Sequence, residues 1–127
     1  MLHDDIPFDG LWIDMNEPAN FYNGLKDGCP NSSLEKPQYV PHVDNGLLST
    51  KTLCMTAKQY IGNHYDAHNL FGIAEGIVTN FALAQVIGKR PFIISRSTFA
   101  GHGRFASHWT GDVSSTWYDM RMSIPRK

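Results

Sequence analysis

The sequence has 127 residues, of which 42% are hydrophobic and 18% charged. This is the length of one ordinary domain or about half of a (β/α)₈ barrel, and the hydrophobic share excludes a chain that is disordered throughout. Eleven Lys and Arg against twelve Asp and Glu give a net charge of −1. The sequence therefore predicts no nucleic-acid partner, no direct membrane contact and no membrane span.

The first organised segment is residues 8–13, which contains a short and continuous apolar run at Leu11, Trp12 and Ile13. Such a run is typical of a strand that is buried on both faces, as in a parallel sheet. Polarity rises at Asp14, and Pro18 prevents further regular pairing. We therefore predict a buried strand that ends just before Asp14.

Residues 19–51 are rich in Pro, Gly and Asn and are predicted to form a long loop. A loop of this length usually has a function or a covalent cross-link. Cys29 and Cys54 flank most of it, and their spacing alone leaves a disulfide and two unpaired buried thiols equally open. No CxxC motif favours zinc or thioredoxin chemistry. The triplet that begins at Asn31 matches a glycosylation sequon.

Two helices are predicted after this loop. Residues 52–61 place their apolar side chains on one side of a short helix, and residues 69–86 repeat apolar side chains every three or four positions. Gly88 stands where a helix C-terminal cap is expected.

A second apolar run, residues 91–96, predicts another strand and turns polar at Arg96. Residues 97–115 are predicted to be a loop, and residues 117–123 to begin a helix. Strand, helix and strand in this order form a βαβ crossover, which implies an α/β fold with parallel strands. Because two strands cannot form a stable parallel sheet, we expect the chain to be a part of a larger α/β domain.

Ionisable side chains follow both predicted strands. Asp14 and Glu17 come after the first, Arg96 comes after the second, and the following loop adds Trp109 and Asp112. Active groups of barrels lie at the carboxyl ends of strands. Two carboxylates with an arginine and tryptophans suggest sugar chemistry, although carboxylates in this position serve many reactions.

Two metal sites are weaker alternatives. Asp14 and Glu17 have the i, i+3 spacing of a site for a hard cation, but Glu17 is expected to form a structural ion pair. His64 and His68 are four residues apart, like helical zinc ligands, but they lack the glutamate of an HExxH motif and are expected to be core or surface histidines. No metal and no cofactor is predicted.

Three motifs resemble glycoside hydrolase family 31, and in particular its branch of lysosomal and intestinal α-glucosidases. Residues 12–18, WIDMNEP, are similar to the family signature, and residues 95–104, SRSTFAGHGR, are similar to the second family block. The block continues into HWTGD at residues 108–112. The similarity covers residues 7–125, nearly the whole chain.

The resemblance implies a (β/α)₈ barrel of which residues 1–127 are a part, incomplete at both ends. It implies that Asp14 is the nucleophile and Asp112 the acid/base of a retaining double displacement. Arg96 would bind sugar hydroxyls. Trp12, Met15 and Trp109 would form walls of the glucose pocket, with plain core packing as the alternative for Met15.

The implied function is hydrolysis of terminal α-linked glucose from oligosaccharides or from a glycogen- or starch-type polysaccharide. The alternatives are a catalytically inactive truncated product and α-xylosidase specificity. The family also implies a disulfide between Cys29 and Cys54 and hence the secretory pathway for the parent protein. No signal peptide is predicted within the sequence itself, because its first residues contain neither a basic nor an apolar stretch.

Overall fold

The computed structural model describes residues 2–41, 43 and 46–124. Its elements in chain order are α1 (Leu2–Asp5), β1 (Gly10–Ile13), β2 (Lys58–Gln59), β3 (Gly62–Asn63), α2 (His64–Ala67), α3 (Phe71–Ile87), β4 (Phe92–Ser95), a 3₁₀ turn (His102–Arg104), β5 (Ser107–His108) and α4 (Trp117–Met122). They divide into two compact units. The first contains residues 2–14 and 72–124, and the second lies within residues 15–71.

A parallel sheet with the strand order β1-β4-β5 forms the first unit. Ile13 is paired with Ser95, and Ile94 with Ser107. Because α3 lies between β1 and β4 in the chain, the predicted βαβ crossover is confirmed. The prediction of residues 97–115 as loop is wrong at the 3₁₀ turn and at β5, which are too short to produce a periodic sequence signal.

The core of this unit is small. Leu83 of α3, Ile93 of β4 and Ala106 are buried, and Leu11 and Ile13 of β1 pack against them. The prediction that β1 is buried on both faces is wrong, because Trp12 is 66% exposed. Side chains alternate along a strand, so Leu11 and Ile13 share the core face and Trp12 lies on the other.

Both longer helices of this unit agree with their predictions. The helix predicted at residues 69–86 is α3, and the one predicted from residue 117 is α4. Gly88 follows α3 with a φ of +67°, and its N–H donates to the carbonyl of Ala84 at 3.0 Å. It therefore caps the helix as expected from the sequence.

A hairpin occupies part of the segment predicted as a helix at residues 52–61, so that prediction is wrong. β2 and β3 pair antiparallel, with Lys58 opposite Asn63. Tyr60 and Ile61 form the connecting turn and are 105% and 64% exposed. Tyr60 and Ile61 have the spacing of a helix relative to the earlier apolar residues, but they share no buried face with them.

A buried histidine connects several parts of the second unit. His64 is 0% exposed; its Nδ1 accepts from the Gln59 amide at 2.6 Å, and its Nε2 lies 3.4 Å from the hydroxyl of Thr52. That hydroxyl donates to the carbonyl of Pro18 at 2.7 Å. With Nδ1 as an acceptor, the neutral ring bonds to both neighbours, and the chain of hydrogen bonds is complete.

Stability should therefore fall in acid. Burial, and secondarily the nearby His68, lower the pKa of His64 below its ordinary value of 6.5, and Glu35 opposes this shift. The unfolded chain then takes up the proton first. The stability provided by neutral His64 is complete above about pH 6.5 and declines below it, by at most about 1.4 kcal/mol per pH unit from this proton.

Thermal unfolding between pH 7 and pH 5 tests this expectation. The melting temperature should depend less steeply on pH in His64→Gln than in the unchanged protein. An NMR titration of the His64 ring in the unchanged protein provides a direct second measurement, and a ring that protonates at or above pH 6.5 would contradict the expectation.

Candidate active site

An ion pair lies at the carboxyl ends of two neighbouring strands. Asp14 directly follows β1 and Arg96 directly follows β4, and the pairing of Ile13 with Ser95 brings both to the same edge of the sheet. The Nε of Arg96 lies 3.1 Å from Oδ1 of Asp14, with the side chains 24% and 28% exposed, respectively. The backbone N–H of Arg96 also donates to the backbone carbonyl of Ile13 at 3.3 Å. The carboxylate is thus oriented by a charge-assisted hydrogen bond.

Two indoles meet beside this edge. Trp12 of β1 and Trp109, which follows β5, lie edge to face with ring centroids 5.6 Å apart and an interplanar angle of 67°. Trp12 is largely exposed and Trp109 is half-buried. The pair offers apolar ring surface of the kind that packs against a sugar ring.

A cavity of about 130 Å³ opens next to Arg96. The strand end β5 and the helix α4 complete it; the lining residues are Arg96, His108, Trp109, Thr110, Val113, Asp119 and Ser123. Asp119 and Ser123 were not identified from the sequence. Their i, i+4 spacing on the predicted last helix is the signal that places them on one face.

Asp112 is exposed on the loop after β5. The preceding residue, Gly111, packs on Arg96: a Cβ at Gly111 would lie 3.2 Å from Cδ of Arg96. The carboxylate of Asp112 forms no hydrogen bond or ion pair with residues 2–41, 43 or 46–124. Asp112 thus directly follows Gly111, whose backbone packs against the Arg96 side chain.

Met15 belongs to the second unit. It is 44% exposed within this chain. Its φ is +62°, a left-handed conformation that costs energy for a residue with a side chain and occurs often at functional sites.

His102 lies inside the first unit and is not part of the cavity lining. It is 3% exposed, and a Cβ at Gly76 of α3 would lie 2.7 Å from its Cε1. Burial, and secondarily the nearby His108, lower the pKa of His102. It packs the helix against the 3₁₀ turn and is not available as an acid or base for a ligand in the cavity.

A disulfide joins Cys29 and Cys54, as the resemblance implies. The backbone of Gly24 lies directly against it, since a Cβ there would overlap Sγ of Cys29 and lie 2.5 Å from Sγ of Cys54. Asn31 is exposed in the loop that this disulfide closes. Its side chain is therefore accessible to a glycosylating enzyme, and its modification stays a prediction.

Metal binding has little support at the candidate positions. Cys29, Cys54 and Glu35 bring their ligand atoms within 4.8 Å of one another, but the two sulfurs are bonded to each other and are not thiolates. His64 and His68 lie with ring centroids 5.2 Å apart. Each of their ring nitrogens has a protein partner; those of His68 are Asn69 and the carbonyl of Leu48. His64 is thus a core histidine, whereas His68 is half-buried.

Comparison with known proteins identifies a family. The model of the glycosyl hydrolases family 31 TIM-barrel domain matches residues 1–127. Lysosomal alpha-glucosidase of Mus musculus is 53% identical over 123 residues, covering 97% of this chain and 13% of the relative. Intestinal sucrase-isomaltase of Oryctolagus cuniculus is 46% identical over 125 residues, with coverages of 98% and 7%. Alpha-xylosidase 1 of Arabidopsis thaliana is 42% identical over 147 aligned positions, with coverages of 96% and 16%.

A solved structure supports the fold. The family 31 dextranase of Flavobacterium johnsoniae, complexed with glucose, matches with a TM-score of 0.59 at 22% identity, covering 94% of this chain and 12% of that one. The chain thus spans a small part of the proteins that it matches. Among the described residues, no helix is long and apolar enough to cross a membrane.

Proposed function

Because this chain belongs to the TIM-barrel domain family of the glycosyl hydrolases of family 31, we propose that its protein hydrolyses terminal α-linked glucose from oligosaccharides or glycogen- or starch-type polysaccharide. The observation on which this depends is the Asp14–Arg96 pair at the carboxyl ends of β1 and β4. Active groups of barrel enzymes occupy these strand ends. The identity with a lysosomal alpha-glucosidase and an intestinal sucrase-isomaltase supports the choice of substrate.

Asp14 is the proposed nucleophile. Its carboxylate attacks the anomeric carbon and forms a glycosyl ester, while the bond to the leaving oxygen breaks. Arg96 holds Oδ1 at 3.1 Å and so fixes the direction of the carboxylate. Arg96 also lines the cavity, where its remaining N–H groups can donate to sugar hydroxyls.

Asp112 is the proposed acid/base. It donates a proton to the leaving oxygen and then removes one from the water that hydrolyses the ester, so the α configuration is retained. This role requires the two carboxyl groups to lie about 5–5.5 Å apart with substrate bound. The position of Asp112 beside the Gly111–Arg96 contact supports the assignment.

The walls of the glucose pocket are proposed to include Trp12, Trp109 and Met15. Trp109 lines the cavity beside Arg96, whereas Trp12 and Met15 are not among its lining residues, and the chain covers 13% of the lysosomal relative and 12% of the dextranase. We therefore propose that residues 1–127 form part of a catalytic barrel whose other strands complete the pocket. The 127 residues expressed alone should then show little or no hydrolysis of a chromogenic α-glucoside, and normal turnover would contradict this.

The secretory pathway is the proposed location of the whole protein. The Cys29–Cys54 disulfide supports an oxidising compartment. The names of the relatives, one lysosomal and one intestinal, agree with it. The reaction needs no cofactor or metal, because carboxylates supply both the nucleophile and the proton.

The reaction is tested with the full-length protein that carries this sequence. NMR of the hydrolysis of 4-nitrophenyl α-glucoside, which releases a single glucose, should show α-glucose as the first anomer formed. β-Glucose that appears ahead of mutarotation would overturn retention, and the absence of any glucose release would support the inactive-product alternative. α-Xylosidase activity, which the 42% identity to Alpha-xylosidase 1 favours as the second candidate, would appear as faster cleavage of 4-nitrophenyl α-xyloside than of the α-glucoside.

A further inference from the structure

The turn that follows β4 encloses Arg96 between two serines. Ser95, the last residue of β4, is 0% exposed, and its hydroxyl donates to the carbonyl of Ser97 at 2.7 Å. This bond spans the backbone of Arg96. It therefore restricts the direction in which the Arg96 side chain leaves the strand.

Helix α3 supports the same turn from another side. A Cβ at Gly72 would lie 2.6 Å from the carbonyl carbon of Ser97 and 2.7 Å from its Cβ, and it would overlap the carbonyl oxygen. Only glycine permits so close an approach of a helix backbone to another backbone. The carbonyl that accepts from Ser95 is thus the one against which α3 packs.

The neighbouring strand supplies a third contact. Nδ1 of His108, in β5, lies 3.3 Å from the carbonyl of Ser95, and because a carbonyl only accepts, the ring donates. The backbone N–H of Arg96 is hydrogen-bonded to the carbonyl of Ile13 in β1. The turn therefore contacts both neighbouring strands, β1 and β5, and the helix α3.

We propose that Ser95 and Gly72 are positioning residues that place the Arg96 guanidinium beside Asp14. The inference rests on the proposed function of the Asp14–Arg96 pair. Ser95 is buried and Gly72 has no side chain, so neither acts on the sugar directly. A misplacement of about 1 Å at a catalytic group can cost on the order of a hundredfold in rate, which is why a buried hydroxyl behind Arg96 matters for turnover.

Ser95→Ala tests the role of the hydroxyl in the full-length protein. We expect kcat/KM for an α-glucoside to fall about tenfold, with little change in melting temperature. Ser107→Ala, an exposed serine of the adjacent strand β5, is the matched control and should keep the activity of the unchanged protein. In an Arg96→Ala background, Ser95→Ala should cause no further loss, because residues that act through one group are not additive. An equal loss in both backgrounds would indicate a merely structural role and overturn the proposal.

Gly72→Ala tests the helix contact, with Gly103→Ala as its control, since a Cβ at Gly103 meets no atom within 4 Å. Gly72→Ala should lower kcat/KM at least as much as Ser95→Ala, and Gly103→Ala should not.

Crystal structures of Ser95→Ala and of the unchanged protein provide a measurement that is independent of activity. The Arg96 Nε to Asp14 Oδ1 contact should lengthen or disappear in the variant. An intact contact would overturn the positioning role even if the protein is an α-glucosidase. A broken contact in a protein that does not cleave α-glucosides would support the positioning role and reject the proposed function alone.

Discussion

Replacing Asp14 with asparagine in the full-length protein is expected to lower kcat for α-glucosides by on the order of 10⁴-fold or more, as loss of a catalytic nucleophile does. Asparagine has nearly the same shape and can still accept a hydrogen bond from Arg96 through its amide oxygen. It lacks the negative charge that attacks the anomeric carbon and forms the glycosyl ester. Steady-state hydrolysis of a chromogenic α-glucoside measures the loss.

Asp9→Asn is the matched control. Asp9 precedes the same strand at its other end, is largely exposed and pairs with Lys89 at 2.8 Å. Because exposed ion pairs contribute little, the control should retain activity within about twofold. Unchanged activity of Asp14→Asn would show that another group is the nucleophile.

Azide rescue separates the two carboxylates. With Asp14→Gly, azide can attack the α-glucoside directly from the opposite face, which gives the β-glucosyl azide. With Asp112→Ala and an activated substrate, azide instead attacks the glycosyl ester on Asp14 and gives the α-glucosyl azide. If the Asp14 variant gave the α-glucosyl azide and the Asp112 variant the β-glucosyl azide, Asp112 would be the nucleophile and Asp14 the acid/base.

Gly24→Ala is expected to prevent the Cys29–Cys54 disulfide from forming in its native geometry. The added methyl group would overlap Sγ of Cys29 and lie 2.5 Å from Sγ of Cys54. Loss of the disulfide removes about 3.5 kcal/mol on the chain-entropy model. The φ of +80° at Gly24 adds about 1–2 kcal/mol for a residue with a Cβ. Free thiols in non-reducing mass spectrometry and a reduced secreted yield are the expected results.

Gly28→Ala distinguishes the overlap from the backbone strain. Gly28 has a similar φ of +88°, but a Cβ there meets no atom within 4 Å. This control should form the disulfide and lose only the smaller backbone contribution. If both variants form the disulfide equally well, the close packing of Gly24 against the sulfurs is not the reason that position 24 requires glycine.

The first unit was largely predictable because its elements have strong local signals. The apolar repeat of α3 and the apolar run that contains Ile93 identify a helix and a buried strand, and the polar residues after them mark the strand ends. The alternation at Trp12 was missed because a continuous apolar run does not reveal that only one of its faces is covered. That distinction depends on which neighbours the strand has.

The second unit was less predictable, since its structure depends on contacts between distant residues. The apolar spacing of Tyr60 and Ile61 imitates a helix, yet both lie at the turn of a two-residue hairpin. His64 is buried by partners that include Thr52 and Gln59, which no periodic pattern connects to it. The cavity residues Asp119 and Ser123 were missed because the sequence does not show which helix face lies over the strand ends.

The ladder between β1 and β4 has a consequence for how this segment can change in evolution. Asp14 and Arg96 meet because Ile13 is paired with Ser95, so inserting or deleting one residue within either strand would turn one of them to the opposite surface. Length variation between residues 15 and 71 does not alter this pairing. Homologous sequences should therefore accumulate indels in the loop of residues 19–51, while β1 and β4 stay free of them.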